Sequence, residues 1–349
     1  MSNVQNLHQL LEVAVESGAS DLHLSPGIPP FLRIYGNLRP ITGYDRLMPN
    51  DIEILVKQII TPEHWKVLDD KGEVDFSYGV RGLARFRCNV YRQRGSLSVA
   101  MRVINAKILS LDQLGLPEVI YDVARKKDGL VLVTGPTGSG KSTTLASMID
   151  LINQERQGVV ITLEDPIEYL HSHKGCIINQ REVGADTHSF ANGLRSALRA
   201  DPDVILVGEM RDLETIATAI SAAETGHLVL STLHTRGAAK TIDRIIDAFP
   251  PDNQQQIRVQ LSTVLEAVIS QQLIPKKDGQ GMVPAVEVML GTPAIGNMIR
   301  EGKTHQINSI IETGTRFGMK TLQSSLDELV EQDLIDIDEA NVRIKQWES

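Results

Sequence analysis

Residues 135–142 read Gly-Pro-Thr-Gly-Ser-Gly-Lys-Ser, the full G-x-x-x-x-G-K-[ST] spacing of a phosphate-binding loop. Glycine at 135, 138 and 140 lets successive backbone N–H groups converge on phosphate oxygens, and a helix opening at Lys141 adds the positive end of its dipole. Gly135, Pro136, Thr137, Gly138, Ser139, Gly140, Lys141, Ser142 and Thr143 are therefore the candidate nucleotide contacts. In such loops the lysine ammonium reaches the β- and γ-phosphates of ATP, and the serine hydroxyl, here Ser142, ligates Mg²⁺.

Splitting a phosphoanhydride also needs acids near the phosphates. An ordinary Walker B strand ends in an aspartate beside the loop, but "DPDVILVGEMRD" (201–212) has Gly208 there, followed by Glu209. Glu209 is thus the candidate to hold Mg²⁺ through water or to orient the attacking water. A second acidic box, "ITLEDPIE" (161–168), ends another apolar run with Glu164, Asp165 and Glu168, and Glu164 is the second candidate for activating water. Acids at strand ends also serve as helix caps. His227 and His234 bracket the apolar run "LVLSTL". A histidine just past a strand can donate a hydrogen bond to a γ-phosphate or to an acid across a subunit interface, and it can equally be structural.

These groups must be delivered by a sheet. Leu130–Val133, Val159–Leu163, Val204–Val207 and Leu228–Thr232 are short apolar runs of the kind buried in a parallel sheet, with helical segments between them. In a doubly wound α/β fold the carboxyl ends of adjacent strands line the ligand crevice, which would gather the loop, the acids and the histidines. Beyond about residue 250 the chain reads as largely helical.

The first hundred residues have a different rhythm. Residues 4–17 place Val4, Leu7, Leu10, Leu11 and Ala14 on one face before Gly18, an amphipathic helix with a glycine stop. Short strands and turns follow over 21–41, and helical spacing returns over 51–60. From 74 to 104 apolar residues alternate, and the turn "QRGS" (93–96) predicts a hairpin. With Phe86, Cys88 and Val90 facing in, Arg85 and Arg87 face out, and Arg102 joins them from the returning strand. A turn centred on Arg94–Gly95 sets Arg87 opposite Arg102. Like charges so opposed repel, so this face awaits an anion or is balanced by nearby carboxylates. The boundaries that follow are an α+β domain over 1–104, a linker with one helix over 105–128, and an α/β domain with C-terminal helices over 129–349.

Composition narrows the function. The chain has 349 residues, 42% hydrophobic and 23% charged, with a net charge of −9, which suits a soluble globular protein and opposes non-specific nucleic-acid binding. Aromatic residues make up 4%, too few for base-stacking platforms. Cys88 and Cys176 form no metal spacing. No run approaches the ~18 apolar residues of a membrane span, and the amino terminus lacks a secretory leader's basic and apolar regions, so a cytoplasmic setting is expected.

Four boxes now stand in order: the phosphate loop, "LEDPIE", "ILVGEMRD" and "GHLVLSTLHT". The set resembles the secretion ATPase superfamily and, within it, the pilus retraction ATPases of the PilT family. "GASDLHL" (18–24), "ARFRCNVYRQRG" (84–95) and "GTPAIGNMIRE" (291–301) are similar to that family as well. The resemblance implies a homohexamer of subunits with a PAS-like N-terminal domain and a RecA-like ATPase domain. It implies ATP between the two domains, and arginines of an N-terminal domain at the phosphates, here Arg85, Arg87 or Arg102, with Arg92 and Arg94 near the turn as further matches. It also implies an inner-membrane pilus platform protein as partner, and peripheral association with the inner membrane at the pilus base. The family's helix after Gly-Thr-Pro usually reads Ala-Ile-Arg-Asn-Leu-Ile-Arg-Glu, whereas this chain has Gly296 at the first arginine, which leaves open an accessory role beside a paralogous motor ATPase. Extension and type II secretion ATPases are longer at the N-terminus and carry a four-cysteine zinc element, which two cysteines do not supply. A nucleic-acid motor is opposed by the acidic balance, and a GTPase switch by the lack of an N-K-x-D segment.

Overall fold

The structure is a computed structural model describing residues 6–34, 36–104, 108–279 and 281–348. The chain forms two compact units, Met1–Lys107 with Glu168–Leu170, and Ile108–Ile167 with His171–Ser349.

In the first unit α1 (Leu7–Glu16) starts at Asn6, whose side chain accepts from the His8 N–H, and buries Leu7, Leu10, Leu11 and Ala14. Val4, read as part of this apolar face, lies outside the described residues. Then come β1 (Asp21–Leu24), β2 (Phe31–Ile34), β3 (Asn37–Pro40), α2 (Pro49–Val56), α3 (Pro62–Lys71), β4 (Glu73–Val80), β5 (Ala84–Gln93) and β6 (Ser96–Ile104). The strands make one antiparallel sheet in the order β3-β2-β1-β6-β5-β4. The alternation in β5 works as the period of two requires, with Phe86, Cys88 and Val90 fully buried. Arg94 and Gly95 both take positive φ, 47° and 76°, the tight two-residue hairpin turn whose twist matches its strands. The register pairs Arg87 with Arg102, Arg102 with Asp21, and Asp21 with Arg33, so these four side chains form one row across a single face.

The second unit begins with α4 (Leu111–Leu114) and α5 (Val119–Ala124). Residues 105–107 of the expected linker lie outside the described residues. The rest of that stretch forms two short helices rather than one, and it buries Leu111, Leu116, Ile120 and Val123 in this unit's core. There follow β7 (Gly129–Thr134), α6 (Lys141–Glu155), β8 (Gly158–Glu164), β9 (Cys176–Glu182), α7 (Phe190–Ala197), β10 (Val204–Val207), α8 (Leu213–Glu224), β11 (Leu228–Leu233), α9 (Ala238–Asp247), α10 (Pro251–Val264), β12 (Leu265–Pro275) and β13 (Met282–Leu290). Four further α-helices follow among the described residues, α11 (Pro293–Glu301), α12 (Ile307–Thr313), α13 (Leu322–Glu331) and α14 (Ile337–Glu348), with 3₁₀ turns at Thr304–Gln306 and Thr315–Phe317.

The sheet order is β13-β12-β7-β11-β10-β8-β9, parallel except for the antiparallel edge strand β13. Helices cover both faces. Leu130, Leu132, Ile205, Val207 and Val229 pack towards α8–α12, while the alternating Val131, Val133, Val204, Leu206 and Leu230 pack towards α4–α6.

The expectation of a largely helical chain beyond residue 250 is corrected by β12 and β13, which extend the sheet past the loop-bearing strand. The buried Ser270, Gln271 and Gln272 interrupt the apolar run of β12 and hide its strand period. The edge strand β9 was also illegible, since its inward positions carry Cys176, Ile178 and Gln180 among exposed or polar neighbours.

Candidate functional site

The phosphate loop is held between a fully buried strand, β7, and the first turn of α6. Gly135 has φ 140°, and a Cβ there would lie 2.3 Å from the Gln271 carbonyl oxygen, so only glycine lets β12 pass so close. Gly140, φ 88°, is the left-handed residue that turns the loop into α6. Lys141 Nζ donates to the carbonyls of Gly135 (2.9 Å) and Pro136 (3.0 Å), holding its buried ammonium inside the loop it serves. Ser142 and Thr143 stand half-buried in the same first turn.

The floor of this loop is polar, and sequence reasoning missed it. Thr144 Oγ1 donates to Gln271 Oε1 at 2.8 Å, and the Thr134 hydroxyl meets that of Ser270, all buried. These bonds tie the strand before the loop and the helix after it to β12. The signal was the Ser-Gln-Gln triple inside an apolar stretch, where buried polar groups require partners.

Along the carboxyl edge of the sheet the loop on β7 is followed by His234 after β11, Glu209 after β10, and Glu164 at the end of β8. Glu209 retains 13% side-chain exposure, with Arg211 Nε 2.6 Å from one carboxylate oxygen and His234 Nε2 3.4 Å from the other. Glu209, Arg211, Thr232, His234, Thr235 and Arg244 line a cavity of about 320 Å³. Gly208 answers the missing Walker B aspartate. Its N–H donates to Leu163 O (2.7 Å), its carbonyl accepts from Thr232 Oγ1 (2.6 Å), and a Cβ would sit 3.0 Å from that same Leu163 oxygen. Glu164 is half-buried, its Oε1 accepting from Thr162 Oγ1 (2.6 Å) and Gln180 Nε2 (3.1 Å).

His227 is not brought to this edge. It precedes β11, at the amino ends of the parallel strands, where its Nδ1 lies 2.9 Å from Ala222 O and 3.2 Å from Thr225 Oγ1. The strand between the two histidines carries His234 to one edge and leaves His227 at the other.

In the first unit Arg85, Arg87 and Arg102 share one face. The acid that balances it is Asp21, 2.9 Å from Arg102 Nε and 4.0 Å from Arg33 Nε. Arg102 keeps 67% side-chain exposure, and Arg87 has no carboxylate partner among the described residues.

Helix α11 begins as its residues predict, with Thr292 Oγ1 accepting from the Ile295 N–H and Pro293 in the first turn. Gly296 faces α10: a Cβ there would lie 3.0 Å from Ser262 O, and Arg300 Nη1 reaches across it to donate to Ser262 Oγ at 3.2 Å.

A phosphate loop between a buried parallel strand and a helix, with an acid–histidine pair at the same sheet edge, defines a P-loop nucleoside triphosphatase of α/β fold. The sequence profile of the type II/IV secretion system proteins matches residues 2–333. The chain is 49% identical over 340 residues to the type IV pilus retraction ATPase PilT of Pseudomonas aeruginosa, covering 97% of this chain and 98% of that protein. It is 47% identical over 320 residues to a twitching motility protein of Neisseria gonorrhoeae, covering 92% and 85%. A crystal structure of the pilus retraction motor PilT with bound ADP matches with a TM-score of 0.90 at 50% identity, over 96% of each chain. The chain belongs to the type II/IV secretion system protein family, and it is an ATPase.

Proposed function

We propose that this ATPase powers type IV pilus retraction, and so twitching motility, as a homohexamer whose N-terminal domains are PAS-like and whose ATPase domains are RecA-like. The retraction role rests on the likeness to the pilus retraction ATPase along nearly the whole chain, and the hydrolytic part on the carboxyl-edge cluster of Glu209 and His234 beside the phosphate loop. In each site the loop amides and Lys141 bind the phosphates, and Lys141 exchanges its bonds to Gly135 O and Pro136 O for phosphate oxygens.

The oxygen donors suit Mg²⁺. The Ser142 hydroxyl and the Glu209 carboxylate are hard ligands, and among the described residues no group of three or more His, Cys, Asp or Glu would hold a metal unaided. That matches a cation that takes most of its ligands from phosphate and water. When bound, Mg²⁺ supplies charge neutralisation at the β- and γ-phosphates. Glu209, held by Arg211 and His234, orients the attacking water, with Glu164 as the second acid; guanidinium groups of an N-terminal domain, Arg87 foremost, neutralise the charge that develops. Rotation of the ATPase domain (129–349) against the N-terminal domain (1–104) through residues 105–128 then moves an inner-membrane pilus platform protein. The ring works in the cytoplasm, peripheral to the inner membrane at the pilus base; no helix among the described residues is long and apolar enough to cross a membrane. Gly296 removes one cation from α11, and a paralogous motor ATPase as co-worker fits that loss.

The test is kinetic and cellular. Glu209→Ala is expected to bind ATP yet lose turnover by about 100-fold or more, and Arg87→Ala to lose turnover with its melting temperature unchanged. Undiminished hydrolysis in either variant removes that residue from the mechanism. Cells without the gene should be over-piliated and unable to twitch, and normally piliated, twitching cells overturn the retraction role.

A further inference from the structure

The loop that carries His234 is fastened from an unexpected side. Helix α9 begins at Gly237 with no side-chain cap of its own. Its Ala238 N–H instead donates to Glu287 Oε1 at 2.8 Å, an acceptor 49 residues further along the chain on β13. Glu287 is 5% exposed and also takes a hydrogen bond from the Trp347 side chain, in the last turn of α14. A Cβ at Gly237 would lie 3.6 Å from Glu287 Oε1 and 3.7 Å from the Trp347 ring, so the loop backbone rests on both. One residue earlier, Arg236 Nη1 donates to Gln346 O at 2.7 Å. One bond to Gln346 and the nearby indole thus bind residues 236–238 to α14 directly, and the bond to Glu287 binds them through β13.

The arrangement reaches the phosphate loop as well. Sheet register sets Glu287 beside Ser270, Ser270 beside Thr134, and Thr134 beside Leu233. The hydroxyls of Ser270 and Thr134 bond each other at the foot of the phosphate loop. A buried carboxylate is costly to keep where a neutral cap would serve the helix. Glu287 offsets that cost with two donors and the positive end of α9.

We infer that Glu287 is a positioning residue for ATP hydrolysis: by tying the 234–237 loop to Trp347 it makes the seating of α14 set how His234 meets Glu209. The C-terminal helix then acts as a brace on the hydrolytic edge, and whatever lifts its last turn slackens His234. This rests on the reading that His234 and Glu209 act in hydrolysis.

Two readouts on the full-length protein separate the two claims. Hydrogen exchange of a peptide spanning 234–241 reads the fastening itself, and Glu287→Ala and Trp347→Phe are expected to raise its rate at least tenfold. ATP turnover reads the consequence: Glu287→Ala should lower kcat about tenfold with KM within twofold, because the phosphate loop stays intact. Glu287→Gln should restore most of kcat, since its amide oxygen still accepts from Ala238. The double variant with His234→Ala should lose no more than His234→Ala alone. Faster exchange with unchanged kcat overturns the positioning role, as does a fall in melting temperature with neither kcat nor exchange altered. Full turnover in His234→Ala defeats the histidine reading instead, while the exchange arm still decides the fastening. Should Glu287→Ala fail to fold, Trp347→Phe gives the same comparison.

Discussion

Placing the usual Walker B aspartate at position 208 should weaken this enzyme. Gly208 lies where β10 leaves the sheet, and its N–H donates to Leu163 O at 2.7 Å. A Cβ there would stand 3.0 Å from that oxygen and 3.4 Å from both Glu164 Cα and the Phe190 ring. The oxygen cannot retreat without lengthening the bond that joins the two strands. Overpacking of this kind costs about 1–3 kcal/mol, and replacing glycine returns about 0.4–1 kcal/mol through the unfolded chain. Gly208→Ala should therefore lose about 1–2 kcal/mol. Gly208→Asp adds a third carboxylate beside Glu164 and Glu209, and like charges about 4–8 Å apart repel by about 2–4 kcal/mol at an effective dielectric of 20. For a unit of this size each kcal/mol lowers the melting temperature by about 2–4 °C, so alanine should lower it by roughly 2–8 °C and aspartate by at least twice as much.

The same displacement moves Glu209 and Glu164, so turnover should fall with stability. Thermal melts and steady-state ATP hydrolysis, measured well below all three midpoints, test both. A Gly208→Asp protein that melts no lower than its parent and hydrolyses ATP at least as fast would refute the reasoning, since the close approach of β8 would then carry no consequence.

Two further outcomes follow from buried groups. Burial pushes the His171 imidazole down to about 4, Lys174 pushing the same way and Asp150 opposing them. The folded state thus binds fewer protons than the unfolded chain between about pH 4 and 6.5, and stability falls as pH drops through that window. From 6.5 to about 4 the loss approaches 3 kcal/mol. Urea midpoints at pH 7 and 4.5 should diverge less in His171→Leu than in the parent, and an equal divergence would clear His171. Gln271→Leu should cost about 1–3 kcal/mol by leaving the buried Thr144 hydroxyl without its acceptor. The double variant with Thr144→Val should regain most of it, and strictly additive losses would mean the two do not couple.

How much of this was legible followed from whether the signal was local. The phosphate loop, the hairpin over 84–104 and the four apolar strands could be read because each is written in consecutive residues: glycines at fixed spacing, period-two alternation, unbroken Val/Leu/Ile runs. The pairing of Arg87 with Arg102 also came out, since one tight turn fixes the register of everything behind it. What was hidden was the contribution of distant segments. Gln271 and Ser270 carry polar side chains into the sheet because the loop needs a hydrogen-bonded floor, and those same side chains erase the pattern that would mark β12 as a strand. The separation of His227 from His234 was hidden as well, since proximity in sequence conceals that a fully buried strand lies between them. Asp21 is the clearest case. It belongs to the row with Arg102 and Arg33 only because β1 pairs with both β6 and β2, which the local pattern does not fix.

That row also ranks the three arginines. Opposed guanidinium groups repel by a few tenths of a kcal/mol, and the sheet relieves the repulsion unevenly. Asp21, nearly buried, takes Arg102 at 2.9 Å and stands within 4.0 Å of Arg33, so the one carboxylate is shared between two cations on its side of the row. Across the strand, Arg87 faces Ser77 on β4 and Arg102 on β6. Among the described residues it carries a cation's repulsion without an acid's attraction. Arg102 already has part of its charge offset by Asp21 through Nε, whereas Arg87 has no carboxylate partner among the described residues. If a triphosphate meets this face as proposed, it has more to gain from Arg87, and this asymmetry makes Arg87→Ala the sharper substitution with which to test the face.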